Sequence, residues 1–439
     1  MQEPAQSFST SEIPPFRNSI RIWSELKTSS QHHQLRLLIT SEDHYARARC
    51  GAIYSSGPAA YSAWSRYLEH FDQVIVLARV RENHGQENHR QRADGPGVFF
   101  RVLPDFTGPW QYFSNRHQAQ SIARHAVAEC NAYLLRVPGV VGQMVWREIM
   151  RANKRYAAEV LGDPWDALSP GSWPNISRPF FRLIATSQMR RICAGAMAVN
   201  YVVSRRSQKR YPPSENSYVA TFSDVMLEQA QAPANILLER HSRLRQLPWQ
   251  ETRNGNFFRL GFIGSFSRMY KGSDVLLHAA ALCRRRGLNF SLNMVGEGRY
   301  LPQMKSLAAS LGIADRTRFA GQLLFGQQVF DFLDSTDLFV IPSRAEGMPR
   351  ALIEAMARGC PCIGSAIGGI SELLDPGSLV PAGNPNRLAE LILQVAADSD
   401  RLIAMSERNI AGAQQFKPEI IQQARRAFLE TVKNQSHTQ

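Results

Sequence analysis

Two patterns of apolar residues alternate along most of the chain. Short consecutive apolar runs read as buried strands, and stretches with apolar positions every three or four residues read as amphipathic helices. In the first half, strands are predicted at Leu35–Ile39, Val74–Leu77, Val98–Leu103, Ala132–Leu135 and Ala198–Val203. Helices are predicted between them at Tyr61–His70, Gln118–Ala128, Val140–Leu161 and Phe180–Ala194. In the second half the strands are Arg259–Ile263, Asn289–Val295, Thr317–Ala320, Leu338–Ile341 and Pro361–Gly364. The helices there are Asp274–Arg286, Tyr300–Leu311, Gln327–Leu333 and Pro349–Arg358. Strands taking turns with helices imply parallel sheets joined by crossover helices, the α/β class.

Between the halves, 242–256 carries Pro248, Gly255 and several charges without periodicity, which predicts a linker. The expected organisation is a polar lead-in over 1–33, a first Rossmann-like domain over 34–241, the linker, a second Rossmann-like domain over 257–415, and a terminal helix with tail over 416–439. The long helix Val140–Leu161 sets Trp146, Ile149, Ala152, Tyr156 and Val160 near helical spacing, with Arg147, Arg151, Lys154 and Arg155 among them. Such a basic amphipathic helix can lie on a membrane; packing on a sheet with its charges in water is the preferred reading.

Composition narrows the setting. The 439 residues, 44% hydrophobic, suffice for two full cores without disulfide staples. The six cysteines show no paired Cys-x-x-Cys framework, which predicts a reduced, cytoplasmic setting, and Cys360-Pro-Cys362 reads as the start of a buried strand. The N-terminal residues lack a basic-then-apolar signal pattern, and no apolar run approaches the ~18 residues that span a bilayer. A net charge of +14 and a pI near 9.8 speak about partners. Nucleic acid is the weakest candidate, because no finger, RNP-like strand or basic zipper accompanies Arg205–Arg210 or Arg284–Arg286. An anionic membrane face or a phosphate-bearing substrate suits the charge better.

The densest chemistry lies in Ser343-Arg-Ala-Glu346-Gly-Met-Pro-Arg-Ala-Leu-Ile-Glu354. Glu346 falls in a strand-to-helix loop and Glu354 on the helix that follows. In a parallel sheet such loops line the ligand crevice at the carboxyl ends of the strands. Pro349 suits a first helical turn. The N–H groups of Arg350, Ala351 and Leu352 are then expected to face an anion. Arg350 sits where the helix dipole disfavours a cation, which makes sense if a phosphate binds beside it.

This run resembles the Glu-x7-Glu motif of family 4 retaining glycosyltransferases of the GT-B fold, including those of bacterial capsule and exopolysaccharide synthesis. The resemblance covers about 257–391. It implies two Rossmann-like domains facing a cleft, with the last helix, Ile420–Val432, crossing back to the first domain. It also implies that Glu346 meets the donor sugar and Glu354 the nucleotide ribose, with Gly347, Met348 and Pro349 between them at the donor. Gly264-Ser-Phe-Ser-Arg268-Met-Tyr-Lys271-Gly272 corresponds to the loop that offers basic groups to the donor diphosphate. Lys271 fits that pattern; the family's arginine falls where this chain has Ser265 and Phe266, and Arg268 is its nearby substitute. Gly296-Glu-Gly298 corresponds to the family's glycine turn, which with Gly264 is expected to let the donor approach the backbone closely, and Gly368-Gly369 to a second one.

The resemblance implies transfer of a sugar from a UDP- or GDP-linked donor without a metal or other cofactor. The implied acceptor is a polyprenyl-diphosphate-linked glycan or another saccharide, met by an enzyme in the cytoplasm or on the inner face of the plasma membrane. A nucleotide-sugar epimerase or hydrolase on the same fold, or a non-catalytic nucleotide binder, is the alternative. The histidine that many relatives carry in the first domain has no counterpart: His117 and His125 fall in helical pattern, and His44 in a polar loop. Arg136 reads as a salt-bridged structural arginine. Asp398-Ser-Asp400 flanks a helix and is not read as a metal motif.

Overall fold

A computed structural model describes residues 34–436 apart from 56–58, 83–90, 107, 169–177, 203–204, 226, 228–230, 247–256 and 325. The lead-in 1–33 and most of the expected linker lie outside the described residues. The strands are β1 (Arg36–Arg47), β2 (Ile53–Ser55), β3 (Gln73–Glu82), β4 (Gln91–Arg92), β5 (Val98–Leu103), β6 (Ala132–Val137), β7 (Ala157–Val160), β8 (Ala198–Tyr201), β9 (Tyr218–Ala220), β10 (Phe258–Ile263), β11 (Phe290–Val295), β12 (Thr317–Gly321), β13 (Leu338–Ile341), β14 (Cys362–Ser365) and β15 (Leu379–Val380).

The first sheet runs β5-β3-β1-β6-β7-β8-β9 with all neighbours parallel, and β2 and β4 extend it as an antiparallel flap on the far end of β1. The second is wholly parallel, in the order β12-β11-β10-β13-β14-β15. Its central strands are continuous apolar runs such as Leu338-Phe-Val-Ile341, all buried, because helices cover both faces. In each sheet the chain first steps outward on one side of the opening strand, then resumes on its other side. The reversal falls between β1 and β6 in one sheet and between β10 and β13 in the other. Ligand crevices of open α/β sheets form at such points, outside the carboxyl ends of the strands.

The terminal helix Pro418–Ser436 packs on β6, β8 and β9, with Phe428 and Val432 fully buried in the first domain's core. It therefore crosses back, as the resemblance implies. The chain passes between the domains twice. The outward crossing follows β9 and the return runs through Gln414–Phe416; the two touch where the Leu227 N–H donates to Phe416 O at 3.3 Å.

Two expected elements differ. The helix over Val140–Leu161 is the helix Val140–Arg151, a turn, and strand β7. Asn153 takes φ = 51°, a left-handed turn that ends the helix. The spacing of Trp146, Ile149, Tyr156 and Val160 carries across that turn, so periodicity alone could not see it. Ala157-Ala-Glu-Val160 is wholly buried between β6 and β8. In front of the expected linker, and overlapping 242–256, lies a helix, Ala234–Arg245, packed on the second domain. Its Leu244 enters that core. Its buried Arg240 donates to the carbonyls of Thr336 and Leu333, and Arg243 to Asp337 at 2.8 Å. A helix whose packing face carries arginines gives no apolar stripe to read.

Candidate active site

The crevice between β10 and β13 is flanked by the loops that follow those strands, 264–272 and 342–349. Lys271 ends a short 3-10 turn, Met269–Lys271, on the first loop. Its Nζ lies 2.5 Å from Glu346 Oε1, and the Ser343 hydroxyl donates to the same oxygen at 2.9 Å. The two residues singled out on separate motifs therefore meet as an ion pair. Burial works against the Lys271 ammonium, but the Glu346 carboxylate outweighs it and holds the lysine above its ordinary pKa. The lysine is a fixed positive charge there.

The loops are latched to each other. Gly272 takes φ = 71°, and a Cβ there would lie 2.0 Å from Pro342 O, so only glycine lets them approach. The Arg344 N–H donates to Tyr270 O at 2.6 Å, and its guanidinium grips Asp274 in two contacts of 2.8 and 2.6 Å. Bidentate arginine–carboxylate pairs fix orientation as well as distance. On the other side, the Gly369 N–H donates to Gly347 O at 3.0 Å. The paired glycines thus support the turn that carries Glu346. Gly347 and Met348 are half-buried in this turn, and Pro349 is buried at its end.

Gly296 and Gly298 serve packing within the domain. Cβ atoms there would lie 2.0 Å from Gly264 O and 2.1 Å from Ser267 N. The Cβ side of this turn is filled by the 264–267 loop, which bonds to it through Phe266 N–H to Glu297 O at 2.8 Å. Gly264 itself bonds through its N–H to Val295 O. Arg268 is exposed on the same loop and is not part of the Lys271–Glu346 pair.

The helix Arg350–Ala357 starts beside the pair, with Pro349 at its cap, whose side chain accepts no hydrogen bond from the helix. Of the three N–H groups expected to face an anion, that of Leu352 is taken: it donates to Pro349 O at 3.1 Å. A tight first turn absorbs it. Ala351 keeps its place at the helix mouth. Glu354 is buried one turn in, and Arg350 Nε reaches back to its Oε1 at 2.8 Å. In this structure Arg350 is thus committed to Glu354.

Opposite lies the first domain. Its reversal point, between β1 and β6, holds Glu42, a residue to which no motif pointed. Glu42 Oε1 accepts from the N–H groups of Val141 and Gly142 at 2.7 and 3.2 Å, and Arg79 lies beside it. Burial raises its pKa above the ordinary carboxylate value despite Arg79 and these N–H donors. His44 is not in a loop: β1 runs on through it, and its ring lies 2.6 Å from Asp105. Arg136 is buried beside Asp224 at 2.7 Å and Glu159 at 3.4 Å, stacked over Trp64, with Arg66 and Arg425 on the same Asp224. It is structural, as expected. A cavity of about 470 Å³ between the domains is lined by Arg66, Asp224 and Arg425 from this cluster and by Arg350.

Asp398 caps the helix Ser399–Ala413 by accepting from the Arg401 N–H at 2.9 Å. Among the described residues no three His, Cys, Asp or Glu side chains gather as metal ligands, and no helix is long and apolar enough to cross a membrane.

The family model for "Glycosyl transferases group 1" matches residues 258–398, the domain that holds the Lys271–Glu346 pair. Residues 258–398 form a group 1 glycosyltransferase domain. This glycosyltransferase is 24% identical to Protein CapJ of Staphylococcus aureus over 341 residues, 77% of this chain and 81% of that one. It is 31% identical over 135 residues to the amylovoran biosynthesis glycosyltransferase AmsK of Erwinia amylovora, 29% of this chain and 33% of AmsK. Its structure matches that of HepE from Anabaena, solved with UDP and glucose, with a TM-score of 0.61 and 17% identity over 90% of this chain and 100% of that one. The likeness to HepE establishes the fold of this glycosyltransferase as GT-B, two Rossmann-like domains facing each other.

Proposed function

We propose that the protein is a retaining glycosyltransferase of bacterial surface polysaccharide synthesis, which takes a sugar from a UDP- or GDP-linked donor. The observation that carries this reading is the Lys271–Glu346 pair, set at the second sheet's reversal point beside the start of the helix Arg350–Ala357. A nucleotide diphosphate laid there meets a fixed cation and a helix N-terminus. HepE, of the same fold, was solved with UDP and with UDP-glucose.

In the proposed reaction the bond from the sugar to the diphosphate lengthens first. Lys271 and the helix mouth at Arg350 and Ala351 stabilise the charge gathering on the leaving diphosphate. Such preorganised electrostatics are usually the largest catalytic contribution. Glu346, already held by Lys271 and Ser343, faces the developing positive charge on the sugar. The acceptor hydroxyl attacks from the same face. Glu354 takes the ribose hydroxyls and releases Arg350 as it does so. Arg268 supplies a second cation to the diphosphate from the loop's exposed side. No metal ion takes part, so turnover should survive a chelator such as EDTA.

The proposed acceptor is a saccharide on a polyprenyl diphosphate, met at the inner face of the plasma membrane. The surplus of positive charge supports an anionic surface or substrate.

The deciding experiment is calorimetric titration with UDP, GDP and their sugar conjugates. One nucleotide series should bind, and Glu354→Ala should weaken it by about 1.5–3 kcal/mol, the worth of hydrogen bonds to a charged group. Absence of binding by the folded protein to every nucleotide would overturn the donor site.

A further inference from the structure

The cavity of about 470 Å³ between the domains has walls from three parts of the chain. Arg66 and Glu69 stand on the 3-10 turn Arg66–Glu69 of the first domain, and Asp224 on the outward crossing after β9. Arg425 and Arg426 come from the returning helix Pro418–Ser436. The second domain contributes Arg350, the first residue of the helix Arg350–Ala357. Neither Lys271 nor Glu346 lines this space.

Charge here is unbalanced, with arginines 66, 350, 425 and 426 set against Asp224 and Glu69. Asp224 is already shared by Arg136 at 2.7 Å, Arg66 at 3.1 Å and Arg425 at 3.8 Å. One carboxylate has far fewer lone pairs than three guanidiniums have N–H donors. The Arg66 Nε is buried and has no hydrogen-bond partner among the described residues. Glu69 lies 3.5 Å from Arg426, where both are more than half exposed and water screens the pair. Glu159, behind the wall, lies 3.4 Å from Arg136, and burial and the charge of Asp224 push its carboxyl above the ordinary pKa. Burial and the like charge of Arg66 hold the Arg425 guanidinium below its ordinary pKa. Positive charge therefore outweighs its counter-charge where two domains meet, and guanidinium forks match the oxygens of a phosphate group.

We propose that this cavity is a second anion site, which takes a phosphate group between Arg66, Arg425 and Arg426 on one side and Arg350 on the other. It stands apart from the place at Lys271 proposed for the donor diphosphate. An anion held there touches both domains and relieves the repulsion between their arginines. The proposal meets the donor reading only at Arg350, which that reading frees from Glu354 when the ribose binds.

The test is calorimetric titration of the full chain with inorganic phosphate at fixed ionic strength. Wild type should bind it. The double variant Arg350→Gln, Arg426→Gln should bind about tenfold more weakly or worse, the loss expected on removing charge-assisted hydrogen bonds. Those two side chains are 46% and 60% exposed, so the variant should unfold at the wild-type temperature. Arg285→Gln removes the same kind of charge from an exposed position elsewhere, and it should leave phosphate binding unchanged. So should Lys271→Ala. Binding lost in Lys271→Ala and kept in the double variant would put the phosphate at the donor site and overturn the proposal. Equal losses in Arg285→Gln and the double variant would also overturn it, by tracing the affinity to overall charge, as would no binding by wild type. Farnesyl diphosphate as a second probe separates the sources: tighter binding than phosphate assigns the site to a substrate's diphosphate, and weaker binding to free phosphate. UDP or GDP should tighten phosphate binding severalfold by freeing Arg350. If no nucleotide binds and phosphate still does, the donor reading fails and the anion site stands.

Discussion

The two sheets reverse direction in the same way, yet they furnish their crevices oppositely. At the second domain's reversal the helix Arg350–Ala357 begins at a proline, and a lysine paired with Glu346 stands beside it. At the first domain's, the helix Val140–Arg151 begins with its N–H groups already occupied by Glu42. A helix start favours an anion in either place. At the first, Glu42 satisfies that preference from within the protein; at the second, Lys271 and Glu346 stand as an ion pair beside the helix mouth. Two copies of one topology thus furnish their reversal points with different charges, and the sharing of donor and acceptor between them is the one proposed above.

The strongest way to disturb the comparison is to damage the frame that holds the first crevice in place. Asp224 anchors Arg66 and Arg136 behind that crevice, and burial of these arginines leaves them dependent on it. Removing one partner of such a set strands the others, so Asp224→Ala should cost about 3–5 kcal/mol of stability, read by chemical denaturation. The arginines depress the Asp224 pKa, although burial alone would raise it. The stabilisation from that group is therefore present at neutral pH and lost as pH falls through its folded value, and an acid titration of wild type should show it.

Next in size is the second crevice itself. Glu346→Ala should slow turnover by about 2–4 kcal/mol of activation free energy, the loss seen when a preorganised electrostatic group is removed. Circular dichroism should remain native. Turnover near normal would remove Glu346 from the mechanism. Gly296→Ala comes third. Its φ of 137° and the 2.0 Å approach to Gly264 O leave no room for a methyl group. The strain should cost on the order of 1–3 kcal/mol in thermal unfolding, with donor affinity falling as the loop carrying Lys271 is pushed aside.

The smallest effect sharpens the contrast most. Burial raises the Glu42 pKa, so ionising it costs the folded state more than the unfolded one. Stability tied to that proton is present below the unfolded value and lost as pH rises through the folded one. Glu42→Gln keeps an oxygen for the helix N–H groups and removes the titration. Measured from acid to neutral pH, it should gain on wild type by on the order of 2 °C in Tm. A variant that lost ground instead would show that the helix start needs the full negative charge.

Much of the second domain was legible in the sequence because local chemistry and tertiary placement agree there. Leu338–Ile341 is apolar and central, and the motifs follow strands in order. Lys271 and Glu346 could be picked out separately, though only the fold brings them within 2.5 Å of each other. Spacing could not show that Gly296 and Gly298 serve a neighbouring loop, nor that Arg240 packs inward. The first domain was harder for a physical reason. Its reversal point is built from Glu42 and from the backbone of a distant helix, a contact across 99 residues with no motif around it. The turn at Asn153 was hidden because an apolar spacing of three to four residues persisted through it.

Among the described residues, the two passages of chain between the domains meet where the Leu227 N–H donates to Phe416 O. The chain leaves the first domain and comes back to it, and that return sets an order of assembly during synthesis. Phe428 and Val432, which fill the first domain's core, are made only after the second domain. The first lobe therefore cannot be complete until the second has been made, and without the helix Pro418–Ser436 it would expose an open core.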